Sequence, residues 1–174
     1  KGISYLRTTR MPTKIMYDER EQFPIGGCKV LRHPKQSRAV LVAAGITLHE
    51  ALKAADILEK KNINVSVIDL YSIKPLDQAT VERAVCETGA IITVEDHVAE
   101  GGLGEAVAGV LCKMQNPAPE PARYGAGVKC KMSQLAVRKL PTSGKPDELL
   151  DRQGISRHAI VKKVKELLWQ GQTH

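Results

Sequence analysis

Ala39-Val-Leu-Val-Ala-Ala-Gly-Ile-Thr-Leu-His-Glu-Ala51 is the stretch on which the fold turns. Its first five residues are an apolar run without polar alternation, which suits a strand covered on both faces. Ala44-Gly45 breaks the run. Leu48, Ala51, Leu52, Ala55 and Leu58 then recur at three- and four-residue spacing, the single apolar stripe of a helix laid on a sheet. Thr47 and Glu50 have capping-box spacing, so the helix is expected to start at Thr47, its hydroxyl accepting from the amide three residues on and the Glu50 carboxylate reaching back.

Downstream, the same alternation repeats. Val65-Ser-Val-Ile-Asp69 reads as a strand. Asp77 is placed to cap a helix over 80–87 that stops at Gly89, and Ala90-Ile-Ile-Thr-Val94 reads as a strand buried on both faces. Gly101-Gly-Leu-Gly104 opens a further helix through Val107 and Val110. Strand-helix-strand-helix order predicts an α/β fold, a mostly parallel sheet with helices on both sides. From Cys112 to Cys130 the pattern breaks, with three prolines in Pro117-Ala-Pro-Glu-Pro121, and a surface loop is expected. Gln134-Leu-Ala-Val137 is the last strand candidate. A short helix around Asp147 to Leu150 leads to Gly154, and Ser156 caps a final helix with the stripe Ile160, Val161, Val164, Leu167 and Leu168.

Upstream, Cys28-Lys-Val-Leu-Arg32 is a second apolar run, separated from Ala39 by the polar His33-Pro-Lys-Gln-Ser-Arg38. That spacing is consistent with an antiparallel hairpin. Residues 13–27 lack periodicity and carry the polar stretch Tyr17-Asp-Glu-Arg-Glu-Gln22, which suits a linker crossing a surface. Ile3-Ser-Tyr-Leu6 reads as a strand running into Arg7-Thr-Thr-Arg10. Unless a later segment pairs with it, its neighbours are expected upstream of residue 1, in a longer polypeptide.

At 174 residues the chain is long enough to bury roughly two thirds of its unfolded surface without disulfide or metal. Cys28, Cys86, Cys112 and Cys130 show no CxxC and no Cys/His ligand spacing, so a reducing, intracellular location is expected. No apolar run approaches the ~18 residues of a membrane span, and a soluble protein without membrane partners is expected. The net charge of +7 is spread over separate lysines such as Lys60-Lys61, Lys129, Lys131 and Lys162 to Lys165, on faces that periodicity puts in solvent. With one Trp, four Tyr, one Phe and no recognition motif, nucleic-acid binding is not expected.

Three places invite a functional reading. The glycine cluster 101–104 fails as a dinucleotide fingerprint: counted from Gly102, Val107 stands where Gly or Ala is required, and tight backbone packing is the better account. Glu95-Asp96-His97 follows a buried strand at the carboxyl edge of the sheet, where open α/β sheets place ligands. An imidazole beside two carboxylates suits acid/base work, but no nucleophile or metal pattern accompanies it. Arg7 and Arg10 end the first strand, and a guanidinium there presents a fork of donors to a phosphate or carboxylate, with Thr8 and Thr9 adjacent; a surface ion pair is the competing account. In extended chain the two arginines point to opposite faces and do not share one anion.

Taken together, Tyr5-Leu-Arg-Thr-Thr-Arg-Met-Pro12, Gly45-Ile-Thr-Leu-His-Glu-Ala51, Ile68-Asp-Leu-Tyr-Ser-Ile-Lys-Pro-Leu-Asp77, Thr93-Val-Glu-Asp-His97, Glu100-Gly-Gly-Leu-Gly-Glu-Ala-Val107 and Ser143-Gly-Lys-Pro146 resemble the carboxyl-terminal part of the animal-type transketolase family. The likeness runs over residues 1–111 and 131–168. It implies a three-layer α/β/α domain, mostly parallel with one antiparallel edge strand. It also implies division into residues 1–12, the last strand of a pyrimidine-binding domain, a linker at 13–26, and a carboxyl-terminal domain at 27–174 with a loop insertion at 112–131. The family moves two-carbon ketol units between sugar phosphates in the pentose phosphate pathway, using thiamine diphosphate and a divalent metal, Mg or Ca, held by domains this chain lacks. It works as a cytoplasmic homodimer, in which Glu95, Asp96 and His97 would be structural or interface groups. By its place in the motif, Arg10 matches the arginine that binds the substrate's phosphate, and the chain alone is expected to be inactive. The equivalent domain of a 2-oxoacid dehydrogenase beta subunit or of a deoxyxylulose phosphate synthase, and a non-catalytic assembly module, are the rival readings.

Overall fold

The computed structural model describes residues 2–6, 8–9, 12–115 and 129–169. Five strands form one mixed sheet: β1 (Lys29–Arg32), β2 (Ala39–Ala43), β3 (Val65–Asp69), β4 (Ala90–Val98) and β5 (Lys131–Val137), in the order β1-β3-β2-β4-β5. The pairs β2/β3, β2/β4 and β4/β5 are parallel, and β1 is an antiparallel edge strand on β3. Every residue of β2 and β3 is buried, which is the continuous apolar reading of residues 39–43 made three-dimensional.

Helices cover both faces. On one lie α1 (Ile46–Glu59), α4 (Pro146–Gln153) and α5 (Arg157–Trp169), whose Leu48, Leu58, Leu150, Ile160 and Val164 pack on Leu41, Val67 and Ile92. On the other lie α2 (Gln78–Thr88) and α3 (Leu103–Gln115), whose Val81, Val85, Val107 and Val110 pack on Val40, Ile68 and Ile91. The two clusters are the alternate side chains of the same strands.

The expected hairpin between β1 and β2 is not formed: β3 lies between them. A strand buried on both faces, such as β2, is best placed centrally between parallel neighbours, and β3 and β4 take both positions. Residues 33–38 instead cross the amino end of β3. Six residues reach roughly 20 Å, twice the ~10 Å of two ladder spacings. The crossing is held by Arg38 N–H to the Asn64 carbonyl (2.9 Å), by Asn64 Nδ2 to the Lys35 carbonyl (3.3 Å) and by the Ser37 and Ser66 hydroxyls (2.8 Å).

The capping box is also replaced. The residue preceding α1 is Gly45, in a conformation open to glycine (φ 60°, ψ −132°), and no side chain caps this end. Thr47 sits inside the helix with its hydroxyl donating toward the Ala44 and Val94 carbonyls (2.9 and 2.8 Å), and Glu50 turns to α5. The other predicted caps form. Asp77 accepts from Thr80 N–H (3.0 Å), Gly89 ends α2 in the left-handed region (φ 64°), and Ser156 Oγ accepts from Ala159 N–H (3.3 Å).

The expected loop from Cys112 is shortened by helix, since α3 runs on through Gln115, and β5 begins at Lys131 rather than Gln134. Residues 116–128 lie outside the described residues. Residues 3–6 are not in a strand, and Ile3, Tyr5 and Leu6 are exposed. No described helix is long and apolar enough to cross a membrane.

Candidate functional site

Because β2, β3 and β4 run parallel, their carboxyl ends share one edge of the sheet. The chain leaves β2 toward the α1 face and β4 toward the α3 face, so a crevice opens between them, the place where open α/β sheets accept ligands. A cavity of about 490 Å³ occupies it, lined among others by Tyr17, Gly45, His49, Asp69, Asp96 and His97.

Glu95, Asp96 and His97 lie within β4 rather than after it, and the strand separates their roles. Glu95 is buried, and its carboxylate accepts from the N–H groups of Leu103 (2.7 Å) and Gly104 (3.0 Å) and from Gln134 Nε2 (2.9 Å). It therefore holds the positive end of α3 to the sheet. The glycine cluster is explained by this contact. A Cβ on Gly102 would run into the Glu95 carboxylate, and one on Gly104 would meet the Gln134 side chain at 2.5 Å. Backbone packing, as read from the sequence, is its role. Asp96 and His97 are exposed on the crevice wall. His97 Nδ1 lies 2.8 Å from the Val98 carbonyl, and since a carbonyl only accepts, Nδ1 is the donor in this contact.

The rest of the edge is taken by the segment before β1, a role the sequence did not reveal. Tyr17 OH donates to Asp69 Oδ2 at 2.5 Å. Burial pushes the Asp69 carboxyl up, outweighing the Tyr17 hydrogen bond and the charges of Lys29 and His49. Burial, followed by the hydrogen bond and charge of Asp69, pushes the Tyr17 phenol well above its ordinary value, so the phenol remains the donor. Tyr17, Phe23 and Tyr71 stack edge to face, with centroids 4.9 and 5.0 Å apart. Lys29 Nζ sits 4.8 Å from the Phe23 ring and pairs with Glu21. Gly26 N–H donates to Ser72 Oγ (2.8 Å). The segment 13–27 is thus a seated strap. Its sequence signal is two aromatic residues, Tyr17 and Phe23, flanking the polar run 18–22.

Arg7 and Arg10 lie outside the described residues, while Thr8 and Thr9 between them line the crevice. His33 is in the β1–β2 crossing, 3.4 Å from Ser66 Oγ, and does not reach this edge. Among the described residues no group of three or more His, Cys, Asp or Glu side chains is disposed to hold a metal ion.

The family of the transketolase carboxyl-terminal domain matches residues 28–160. Transketolase-like protein 1 of Bos taurus is 46% identical over 169 residues, 97% of this chain and 26% of that protein. Transketolase of Rattus norvegicus is 44% identical over 172 residues, 98% of this chain and 26% of that protein. A solved structure described as "Split gene transketolase, inactive beta4 tetramer" superposes with a TM-score of 0.73 at 30% identity, covering 87% of this chain and 45% of that one. The chain spans about a quarter of the length of the curated relatives it matches.

Proposed function

The chain belongs to the transketolase family through its carboxyl-terminal domain, and on that premise we propose that it is the carboxyl-terminal part of a thiamine diphosphate-dependent transferase. The reaction is transfer of a two-carbon ketol unit from a ketose phosphate to an aldose phosphate, in the pentose phosphate pathway. Residues 1–12 close the pyrimidine-binding domain, 13–26 are the linker, and 27–174 are the carboxyl-terminal domain. The working enzyme is a cytoplasmic homodimer.

In this reading Arg10 grips the phosphate of the sugar. Binding energy from that remote group orients the reacting carbon, which is how a residue away from the chemistry raises turnover. The observation that carries the reading is the reach of the likeness: the 172-residue alignment with rat transketolase extends beyond the domain match to take in residue 10.

The described residues do not fit the metal. The metal and thiamine diphosphate both belong to the parts of the enzyme outside this chain, and the chain by itself is inactive. The name of the solved relative, an inactive β4 tetramer, supports that reading and also favours a second, that the chain is an assembly module.

The experiment is Arg10→Ala in the full-length protein, assayed with thiamine diphosphate and a divalent metal on phosphorylated and unphosphorylated sugars. The expected result is a KM raised at least ~10-fold for the phosphorylated substrate and little change for the other, since losing a charged hydrogen-bond partner costs about 1.5–3 kcal/mol. Equal effects on both substrates remove Arg10 from the role. No transfer activity in the unaltered protein favours the assembly module.

A further inference from the structure

Four cysteines are free, and two of them, Cys86 and Cys130, lie at one corner of the fold. Cys86 is exposed in the last turn of α2, three residues before Gly89. Gly89 N–H closes the helix on the Val85 carbonyl at 2.8 Å, and the Gly89 carbonyl then accepts from Lys131 N–H at 3.0 Å. Lys131, opposite Ala90 in the β4/β5 register, directly follows Cys130. From Cys86 to Cys130 the path is therefore one helical turn to Gly89, one ladder hydrogen bond to Lys131 and one residue back along the chain, each leg roughly 4–5 Å and the path folding back at Gly89. Cys130 is half-buried against the α2/α3 cluster that includes Ala84 and Val85, the residues just before Cys86. The two thiols also sense each other: burial, and then the charge of Cys86, push the Cys130 thiol up to about 11. Cys28 instead donates toward Asp77 Oδ2, and Cys112 is exposed on α3.

We propose that Cys86 and Cys130 are a redox pair that closes to a disulfide under a peroxide, stapling the end of α2 to the start of the edge strand β5. The exposed Cys86 thiolate attacks a peroxide oxygen, the O–O bond breaks, and a sulfenic acid and water form. Cys130, as thiolate, then attacks the Cys86 sulfur and the S–O bond breaks with loss of a second water. Two thiols lose two electrons and two protons, and one peroxide is reduced to two waters.

Both thiols are held protonated. Burial, followed by the charges of Glu82 and Glu87, raises Cys86 above its ordinary value. The pair is therefore a slow, thermodynamic staple rather than a fast sensor, and its rate of closure rises with pH through the alkaline range. The closed loop spans β4 and α3, so the strand carrying Glu95, Asp96 and His97 lies inside it.

The test is exposure of the reduced, purified protein to hydrogen peroxide at pH 7 and pH 9, followed by digestion without reductant and mass mapping. The expected result is a Cys86–Cys130 linked peptide, formed several-fold faster at pH 9, with the free-thiol titre falling from four to two per chain and returning with dithiothreitol. The linkage is lost in Cys86→Ser and in Cys130→Ser and kept in Cys28→Ser and Cys112→Ser. In the oxidised protein the Lys131 amide exchanges several-fold more slowly than in the reduced one. A disulfide to Cys112, a link between two chains, or sulfinic acid at Cys86 without a linked peptide each overturns the proposal.

Discussion

Glu95 has only 4% of its surface exposed, and its partners are neutral amides: two backbone N–H groups at the start of α3 and the Gln134 side chain. A carboxylate in that position satisfies donors that a helix start leaves open and meets the positive end of the helix dipole. Glu95→Ala would leave both N–H groups buried and unpaired, a loss of about 2–4 kcal/mol. For a domain of this size that lowers Tm by roughly 5–15 °C, measurable by thermal denaturation. Glu95→Gln, which keeps one acceptor, is expected to fall between. An unchanged Tm in Glu95→Ala would remove the residue from this structural role. From the sequence alone Glu95, Asp96 and His97 look like one cluster, because proximity along the chain hides the fact that successive strand residues face opposite ways. Burial of the first and exposure of the other two is a property of the pleat and of the helix that follows it.

At the scale of elements, α1 and α5 are joined through Glu50. Its carboxylate, buried to 2% exposure, accepts from Arg157 N–H (2.8 Å), Arg157 Nε (3.0 Å) and Lys53 Nζ (2.9 Å), and Arg157 goes on to Asp147 at 3.1 Å. Burial works against the Glu50 charge, but the Lys53 and Arg157 hydrogen bonds and charges outweigh it and hold the carboxyl below its ordinary value. A carboxyl that ionises more readily when folded adds stability above its unfolded pKa of ~4.3, and that contribution disappears as pH falls through the lower folded value. Tm of the native protein should therefore fall below about pH 4.5, and Glu50→Gln should start lower at pH 7 and lose less on acidification. The spacing of Thr47 and Glu50 pointed to a local cap. A partner 107 residues away in sequence prevailed, and no local rule reports it. The elements themselves were largely legible, since α2, α3, α5 and the strands β2, β3 and β4 follow from periodicity and glycine stops. The place of β1 was not, because a six-residue polar crossing fits both a hairpin and a step over one strand.

The whole molecule is organised around the carboxyl edge of the sheet, where the strap 13–27 settles over Asp69. The folded protein raises the Asp69 carboxyl, so it binds a proton more tightly than the unfolded chain does. The ionised group therefore opposes folding at neutral pH, and the penalty is relieved as pH drops through the raised folded value. Asp69→Asn keeps an oxygen to accept from Tyr17 and removes the charge. It is expected to match or exceed the native Tm at pH 7, with the difference shrinking toward pH 4. A large loss at pH 7 would show that the charge itself holds the strap. This edge was legible as the place for a ligand, since three parallel strands end there. The strap was not, because Tyr17 and Phe23 lie among charged and polar neighbours that read as solvated chain.

One consequence concerns synthesis. The strand β1, ending at Arg32, has its ladder partner among the described residues in 67–69. As the nascent polypeptide leaves the ribosome at about 5–20 residues per second, that edge waits on the order of 2–8 seconds for its mate. Throughout that interval Leu31 is without the α1-side cluster on which it packs in the finished sheet. Slow codons between Arg32 and Asp69 would lengthen the exposure, while the same codons placed after Asp69 would leave it unchanged.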